Sequence, residues 1–301
     1  MHFSSPVSHA RKFPRGLLRA AATLGAVVLA SLPDGARAQS APDFNATLMV
    51  DSDGTPARLD LKNLFDYSAD TGRYDLKIFG ESLNGTGWHW AQDSWTNPHT
   101  GLPETKWVMQ LTDTSFATIS LVDATAKVDP FMSYAFAVKN TTGAVQTYTF
   151  IQGESIVPTI TGLYRINADV GVSLTNTTSP SSGAIVGQSG LATKFQIVEL
   201  SGDGGGTFFD PGVDVGDAHT ILSGAGGGTT TYPSDSATAI GSTLLTLDFW
   251  QFRSTFTLTP GDSVAMTGFA EIIPEPSAYA AIFGLGVVGF VTLHRRTRFA
   301  P

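Results

Sequence analysis

The chain of 301 residues contains no cysteine, so disulfides, thiolate metal centres and cysteine nucleophiles are all excluded. Charge is sparse, with Asp, Glu, Lys and Arg together making up 15% of the residues, against about 25% in an average globular chain. Histidine is scarce too. Between residues 39 and 276 only His89, His99 and His219 occur, and none has the His-x-His or H-E-x-x-H spacing that brings imidazoles onto one zinc ion. No G-x-S-x-G elbow is present, and Gly261-Asp262-Ser263 follows Pro260 where a strand-to-strand turn is expected. A Ser-His-Asp site assembled from distant residues stays open, since such triads are defined by geometry and not by sequence position. Long helical periodicity is missing as well. Over 39–271 no apolar repeat of 3.6 residues extends beyond the one or two turns that Leu59–Phe65 could form.

Two apolar segments stand at the ends. Residues 1–38 begin with a basic region carrying Arg11, Lys12, Arg15 and Arg19, continue through an apolar stretch from Leu17 to Leu32, and break at Pro33. Ala36-Arg37-Ala38 supplies the small-x-small pattern read by signal peptidase, making Gln39 the first mature residue. This is the layout of a secretory signal peptide. A permanent membrane helix is the alternative, disfavoured by the short apolar run and the cleavage pattern directly behind it. An exported chain without disulfides must be stabilised by a core of adequate size, and about 235 residues suffice for one large domain or two small ones.

Setting the ends aside deepens the charge. Residues 39–276 hold 10 Lys and Arg against 25 Asp and Glu. Such a body repels phosphate backbones, which excludes nucleic acid as a natural partner.

What the body does have is β-pattern. Tyr134, Phe136 and Val138 alternate with small or polar residues, Asn140-Thr141-Thr142-Gly143 reads as a turn, and Gln146, Tyr148 and Phe150 alternate again, so the spacing predicts a hairpin. Further strands are expected at Ala46–Val50, Tyr74–Gly80, Trp107–Leu111, Ala117–Val122, Asp169–Thr175, Phe195–Leu200, Ala218–Leu222 and Ser263–Ile272. Leu245, Leu247 and Phe249 share one parity and Trp250, Phe252, Phe256 and Leu258 the other, so a bulge near Phe249-Trp250 would put both sets on one buried face. Ser179–Gly190, Ser201–Gly206 and Ser223–Thr231 read as long Gly-rich loops. About ten short strands between such turns give an all-β fold, an antiparallel β-sandwich or jelly roll over 39–271. One domain is favoured over two, because the pattern does not change abruptly near 180–200.

Three groups of residues could carry chemistry. Trp88, Trp90 and Trp95 cluster in one short stretch with His89, and exposed indoles offer flat apolar platforms for sugar rings. Trp88 and Trp90 also share strand parity, so core packing explains them equally. Asp203, Asp210, Asp214 and Asp217 lie along a Gly-rich run that could wrap calcium, which favours several oxygen ligands on a flexible loop. Asp51-Ser52-Asp53-Gly54 is a shorter run of the same kind. Neither has the full spacing of a calcium loop, and solvated turns explain both. The Asn-x-Thr sequons at Asn45, Asn84, Asn140 and Asn176 read as turn-forming pairs.

The C-terminal end is the most specific. Ala278 to Leu293 is a run of sixteen uncharged residues; as a helix it reaches about 24 Å, short of the roughly 30 Å hydrocarbon core. Pro274-Glu275-Pro276 precedes it, and Arg295, Arg296 and Arg298 follow, on the side that stays cytoplasmic. A plain tail anchor accounts for the hydrophobicity. The order of parts resembles the PEP-CTERM sorting signal of Gram-negative bacteria, over about 272–301. That resemblance implies recognition by an exosortase at the inner membrane, a transient anchor through a transmembrane helix at 278–293, cleavage near the Pro-Glu-Pro, and release or transfer to the cell surface, commonly alongside exopolysaccharide. The expectation is therefore an exported surface or matrix protein with a structural or adhesive role and no cofactor. A carbohydrate-binding module is the alternative, with a secreted calcium-dependent hydrolase behind it.

Overall fold

The computed structural model describes residues 41–275, apart from 53, 54, 99, 114, 177–182, 187–193, 218 and 223–227. All of these fall within one compact unit, Ala41–Pro301. The expected signal peptide, with Ala36, Ala38 and Gln39, and the segment holding Pro276, 278–293, Arg295, Arg296 and Arg298 lie outside the described residues. Among those described, no helix is long and apolar enough to cross a membrane.

The chain is all-β and every ladder is antiparallel. Its organiser is a pair of long strands, β9 (Gln146–Asn176) and β14 (Gly228–Leu258), which run against each other along their whole length and bend midway. The half built on residues 146–155 and 249–258 continues on one side through β1 (Phe44–Ser52) to β2 (Thr55–Asp60). On its other side stand β11 (Lys194–Ser201) and β12 (Asp214–Asp217). The half built on 162–176 and 228–243 continues through β15 (Ser263–Pro274), β8 (Phe131–Asn140) and β7 (Ala117–Lys127). One end of β7 carries β6 (Pro103–Asp113) and β5 (His89–Thr96); its other end carries β4 (Arg73–Leu76) and β3 (Phe65–Ser68). A small pair, β10 (Gly183–Val186) and β13 (His219–Leu222), sits beside β14.

The two halves face each other as in a β-sandwich. Tyr134 and Phe136 of β8 meet Phe150 of β9 and Phe252 of β14, with ring centroids 4.6–5.3 Å apart. Phe256 stacks on Tyr148 at 5.4 Å. Each such ring, removed from water, is worth about 1.5–3 kcal/mol, and the alternation along β8 puts Met132, Tyr134, Phe136 and Val138 inward at 3% exposure or less.

Several sequence expectations hold. Leu59–Phe65 contains a 3-10 turn at Lys62–Leu64, and Thr259–Asp262 is a turn closed by the Asp262 N–H on the Thr259 carbonyl. The register of β14 against β9 shifts between Thr243 and Leu247 and again between Leu247 and Phe249. Leu247, Trp250, Phe252, Phe256 and Leu258 are thereby all buried, whereas Leu245 stays 65% exposed.

Others are corrected. β8 and β9 do not form a hairpin: β8 pairs with β7 and β15, and β9 with β1, β14 and β15. Their inward rings instead oppose each other across the core, where Tyr134 and Phe136 of β8 meet Phe150 of β9. Asn140 fixes that crossing. Its Nδ2 donates to the carbonyls of Ala144 and Leu258, and its Oδ1 accepts from the Thr142 N–H. Gly228–Thr231 belongs to β14, not to a loop, and the strand expected at Tyr74–Gly80 stops at Leu76. At the C-terminal end the body passes 271. Ile272 is buried, and β15 runs on to Pro274, opposite Tyr164.

Candidate functional site

The tryptophan cluster is divided by the fold. β5 begins at His89, so Trp88 lies just before the strand and is tucked into the core at 8% exposure. Trp95 is also buried, at 5%, with the Lys106 Nζ 5.2 Å from its ring centroid. Neither can offer a ring face, which corrects their assignment to a sugar platform. Trp90 is half-buried, and its Nε1 donates to the Glu81 carbonyl at 2.9 Å.

An exposed aromatic surface forms nonetheless, with different partners. Antiparallel pairing places Trp90 opposite Met109 and Gln92 opposite Trp107, so Trp90, Gln92 and Trp107 share one face of the β5–β6 hairpin. The loop after β4 folds onto this face. Its turn is closed by the Glu81 N–H on the Ile78 carbonyl, and the Glu81 carboxylate accepts from the Ile78 N–H at 2.6 Å. Gly80 takes φ +100, a conformation that L side chains rarely adopt. Phe79 thereby stacks on Trp107 with centroids 4.2 Å apart and meets Trp90 edge-on at 5.6 Å. Phe79 remains 54% and Trp107 46% exposed, with Ile78 beside Phe79 in the chain at 71%. Sequence reasoning missed Phe79 and placed Trp107 only in a strand. The available signal was Ile78-Phe79-Gly80, an apolar pair ending in a glycine turn.

The other face of the hairpin covers a polar cleft of about 360 Å³. There the Ser120 hydroxyl donates to Asp93 Oδ2 at 2.6 Å and accepts from Gln110 Nε2 at 3.2 Å. Lys139 also lines it. Near the turn of the hairpin, hydrogen bonds from Lys106 and Asn97 hold the Glu104 carboxyl below the usual carboxylate range.

The aspartates proposed for calcium serve different ends. Asp203 organises its own loop, accepting from Ser201 Oγ at 2.6 Å and from the Thr207 N–H at 2.7 Å, and these bonds pull its pKa down to about 2. Asp210 accepts from the Gly212 N–H at 2.6 Å. The Asp214 carboxyl is pushed up, first by burial. Asp217 closes β12 opposite Lys194. Among the described residues no group of three or more His, Asp or Glu side chains is placed to hold a metal ion. His89 is exposed and His219 lies in β13; His99 is outside the described residues.

The Pro-Glu-Pro is partly built into the body. Pro274 ends β15, the Glu275 N–H donates to the Leu163 carbonyl at 3.0 Å, and the Glu275 carboxylate pairs with the Arg165 guanidinium at 2.8 Å.

No family model and no curated protein matches the chain. Among solved structures it is similar to the adhesin domain of Epf from Streptococcus pyogenes, at 11% identity and a TM-score of 0.32, over 78% of this chain and 64% of that one. It thus spans under two thirds of that structure's length. It is also similar to TmCBM61 in complex with β-1,4-galactotriose, at 11% identity and a TM-score of 0.20, over 48% of this chain and 82% of that one. Likenesses of this size carry no argument about what the chain does.

Proposed function

We propose that the chain is an exported, non-catalytic protein of the cell surface or extracellular matrix whose body holds a polymeric saccharide on Phe79, Trp90 and Trp107. The observation that carries this reading is the stacked Phe79–Trp107 pair, both rings about half exposed and braced by Trp90. Exposed rings fixed in place present a flat apolar face at small entropic cost, which suits the C–H face of a pyranose. The exposed Gln92, opposite Trp107, supplies an amide for sugar hydroxyls. Export is supported by the signal-peptide pattern over 1–38, and C-terminal processing by the order Pro274-Glu275-Pro276, uncharged 278–293, Arg295-Arg296-x-Arg298. In this reading an exosortase removes the end of the chain and the body joins an exopolysaccharide layer.

Affinity electrophoresis through gels cast with soluble polysaccharides, the producing cell's own exopolysaccharide among them, tests the platform. Wild type is retarded by at least one polymer, and Trp107→Ala together with Phe79→Ala abolishes the retardation. Equal retardation of the double variant removes the platform. Intact-mass measurement of the protein from its native host tests the sorting: a mature chain that retains Arg295–Arg298 overturns it.

A further inference from the structure

Both ends of the described chain leave the sandwich at the same end. At the start, the Asp43 carbonyl accepts from the Ser155 N–H at 2.9 Å, where β9 approaches its bend. At the finish, the Glu275 N–H reaches the Leu163 carbonyl just past that bend. The bend itself carries an apolar patch that no described residue covers. Ile240 and Ile273 flank Arg165 on its two neighbouring strands, and Leu163 lies opposite Ser242 one row further out. Leu244 and Leu245 follow at the register shift of β14. Their exposures are 53% for Leu163, 69% for Ile240, 106% for Leu244, 65% for Leu245 and 38% for Ile273. A value such as that of Leu244 belongs to a side chain projecting from a tip, not to one lining a groove. The charge within the patch neutralises itself, because Arg165 is paired with Glu275.

The residues beyond Glu275 decide the occupant. Only Pro276 and Ser277 separate it from the uncharged run that begins at Ala278. The three steps from Glu275 to Ala278 span at most about 11 Å. If that run lies in a bilayer, the tether is too short to hold the ribbon bend clear of the lipid surface. We infer that the bend of the β9–β14 ribbon is a lipid-contact surface, with Leu163, Ile240, Leu244, Leu245 and Ile273 resting at the boundary between headgroups and acyl chains of a zwitterionic bilayer. The inference rests on the reading of 278–293 as a membrane anchor. A self-neutralised apolar tip on an acidic body suits zwitterionic lipid; an anionic surface would repel that body. While the end of the chain is retained, this contact fixes the orientation of the sandwich, with the turn at Thr141–Gly143 pointing away from the membrane.

Because the chain has no cysteine, single labelled thiols test this directly. The full chain is reconstituted into phosphatidylcholine vesicles containing brominated phosphatidylcholine, with an environment-sensitive fluorophore at Leu244→Cys, at Gly286→Cys or at Val145→Cys. Val145 is 54% exposed at the far end of the sandwich. Eleven residues of β9, about 36 Å, separate the row of Tyr164 from that of Thr175 at that far end. The expected result is a blue shift and bromine quenching at Leu244→Cys and Gly286→Cys, with Val145→Cys unchanged. Quenching at Gly286→Cys but not at Leu244→Cys overturns the lipid contact and leaves the anchor standing. No quenching at Gly286→Cys overturns the anchor and removes the premise of the contact. A Leu244→Cys probe already blue-shifted without vesicles shows the tip covered by protein, which also overturns the proposal.

Discussion

Tyr134 and Gln196 are joined across the sandwich: the phenol Oη of β8 donates to Gln196 Oε1 of β11 at 2.9 Å, inside an otherwise aromatic core. Ser254 Oγ of β14 lies 3.1 Å from the same Oη. The ring leans over Gly268, where an added Cβ would stand 2.5 Å from Gln196 Oε1 and 2.6 Å from the ring. One glycine, one phenol and one amide therefore set how closely the two halves approach. Burial pushes the phenol pKa well above its ordinary value, so it stays a donor throughout the working pH range.

Tyr134→Phe removes that donor and leaves Gln196 and Ser254 facing an apolar edge. Stranding a buried acceptor costs about 1–3 kcal/mol, and urea denaturation should show the midpoint falling with an unchanged slope. Gly268→Ala should cost more, because the clash is with a ring and an amide packed on all sides. Gly268→Ala/Tyr134→Phe should recover little of that loss, because the ring carbons that the added Cβ would meet remain in phenylalanine.

Glu154 sets a pH dependence. It is fully buried beside Trp250 in the ladder, neither carboxyl oxygen has a partner of normal hydrogen-bond geometry, and burial raises its pKa well above 4.5. The Trp250 indole and the Lys127 main-chain N–H favour the charged form but do not offset the burial. The folded state thus keeps a proton that the unfolded chain releases near 4.5. The contribution of this site is intact below that pH and is lost as pH rises toward the folded value. Glu154→Gln removes the titration, so its thermal midpoint should match wild type near pH 4 and gain on it as pH rises from there toward the raised folded-state pKa. A constant difference across that range would show that Glu154 does not titrate between the two states.

The parts of the fold visible in the sequence are those governed by local alternation. Tyr134, Phe136, Tyr148 and Phe150 declare a buried face because a strand repeats every two residues. Which strands pair is a non-local matter, and Asn140–Gly143 looks the same whether it closes a hairpin or crosses the core. The same limit applies to the site. Trp88, Trp90 and Trp95 are conspicuous as a cluster, yet exposure depends on what folds over each ring. Trp88 precedes its strand, Trp95 sits beneath Lys106, and Phe79 reaches Trp107 only because the turn at Gly80 returns the loop.

The platform residues should separate binding from stability. Phe79 and Trp107 are each about half exposed, so Trp107→Ala should lower saccharide affinity by about tenfold or more, equivalent to about 1.4 kcal/mol. Its thermal midpoint should change little. Trp88→Ala is the contrasting case: it opens a core cavity, for which about 3–5 kcal/mol is usual. Calorimetry of both variants, with titration of the retarding polysaccharide, checks the pair.

Arg165 and Glu275 are both partly exposed, so their ion pair adds only about 0.2–1 kcal/mol to global stability. Its local effect is larger, because it sits at the last rungs of β15, where few other contacts hold the chain. Pro274 has no N–H to donate, which leaves the Glu275 N–H on the Leu163 carbonyl as the closing main-chain bond. Arg165→Ala should therefore leave the unfolding midpoint nearly unchanged while letting Ile273–Glu275 peel from β9. Limited proteolysis followed by intact-mass analysis reads this. Wild type should be trimmed from the C-terminus to Glu275 and no further, whereas Arg165→Ala should also yield ends at Ile272 or Ile273. Identical end points in the two proteins would mean that the ladder alone, without the ion pair, secures the end of the body.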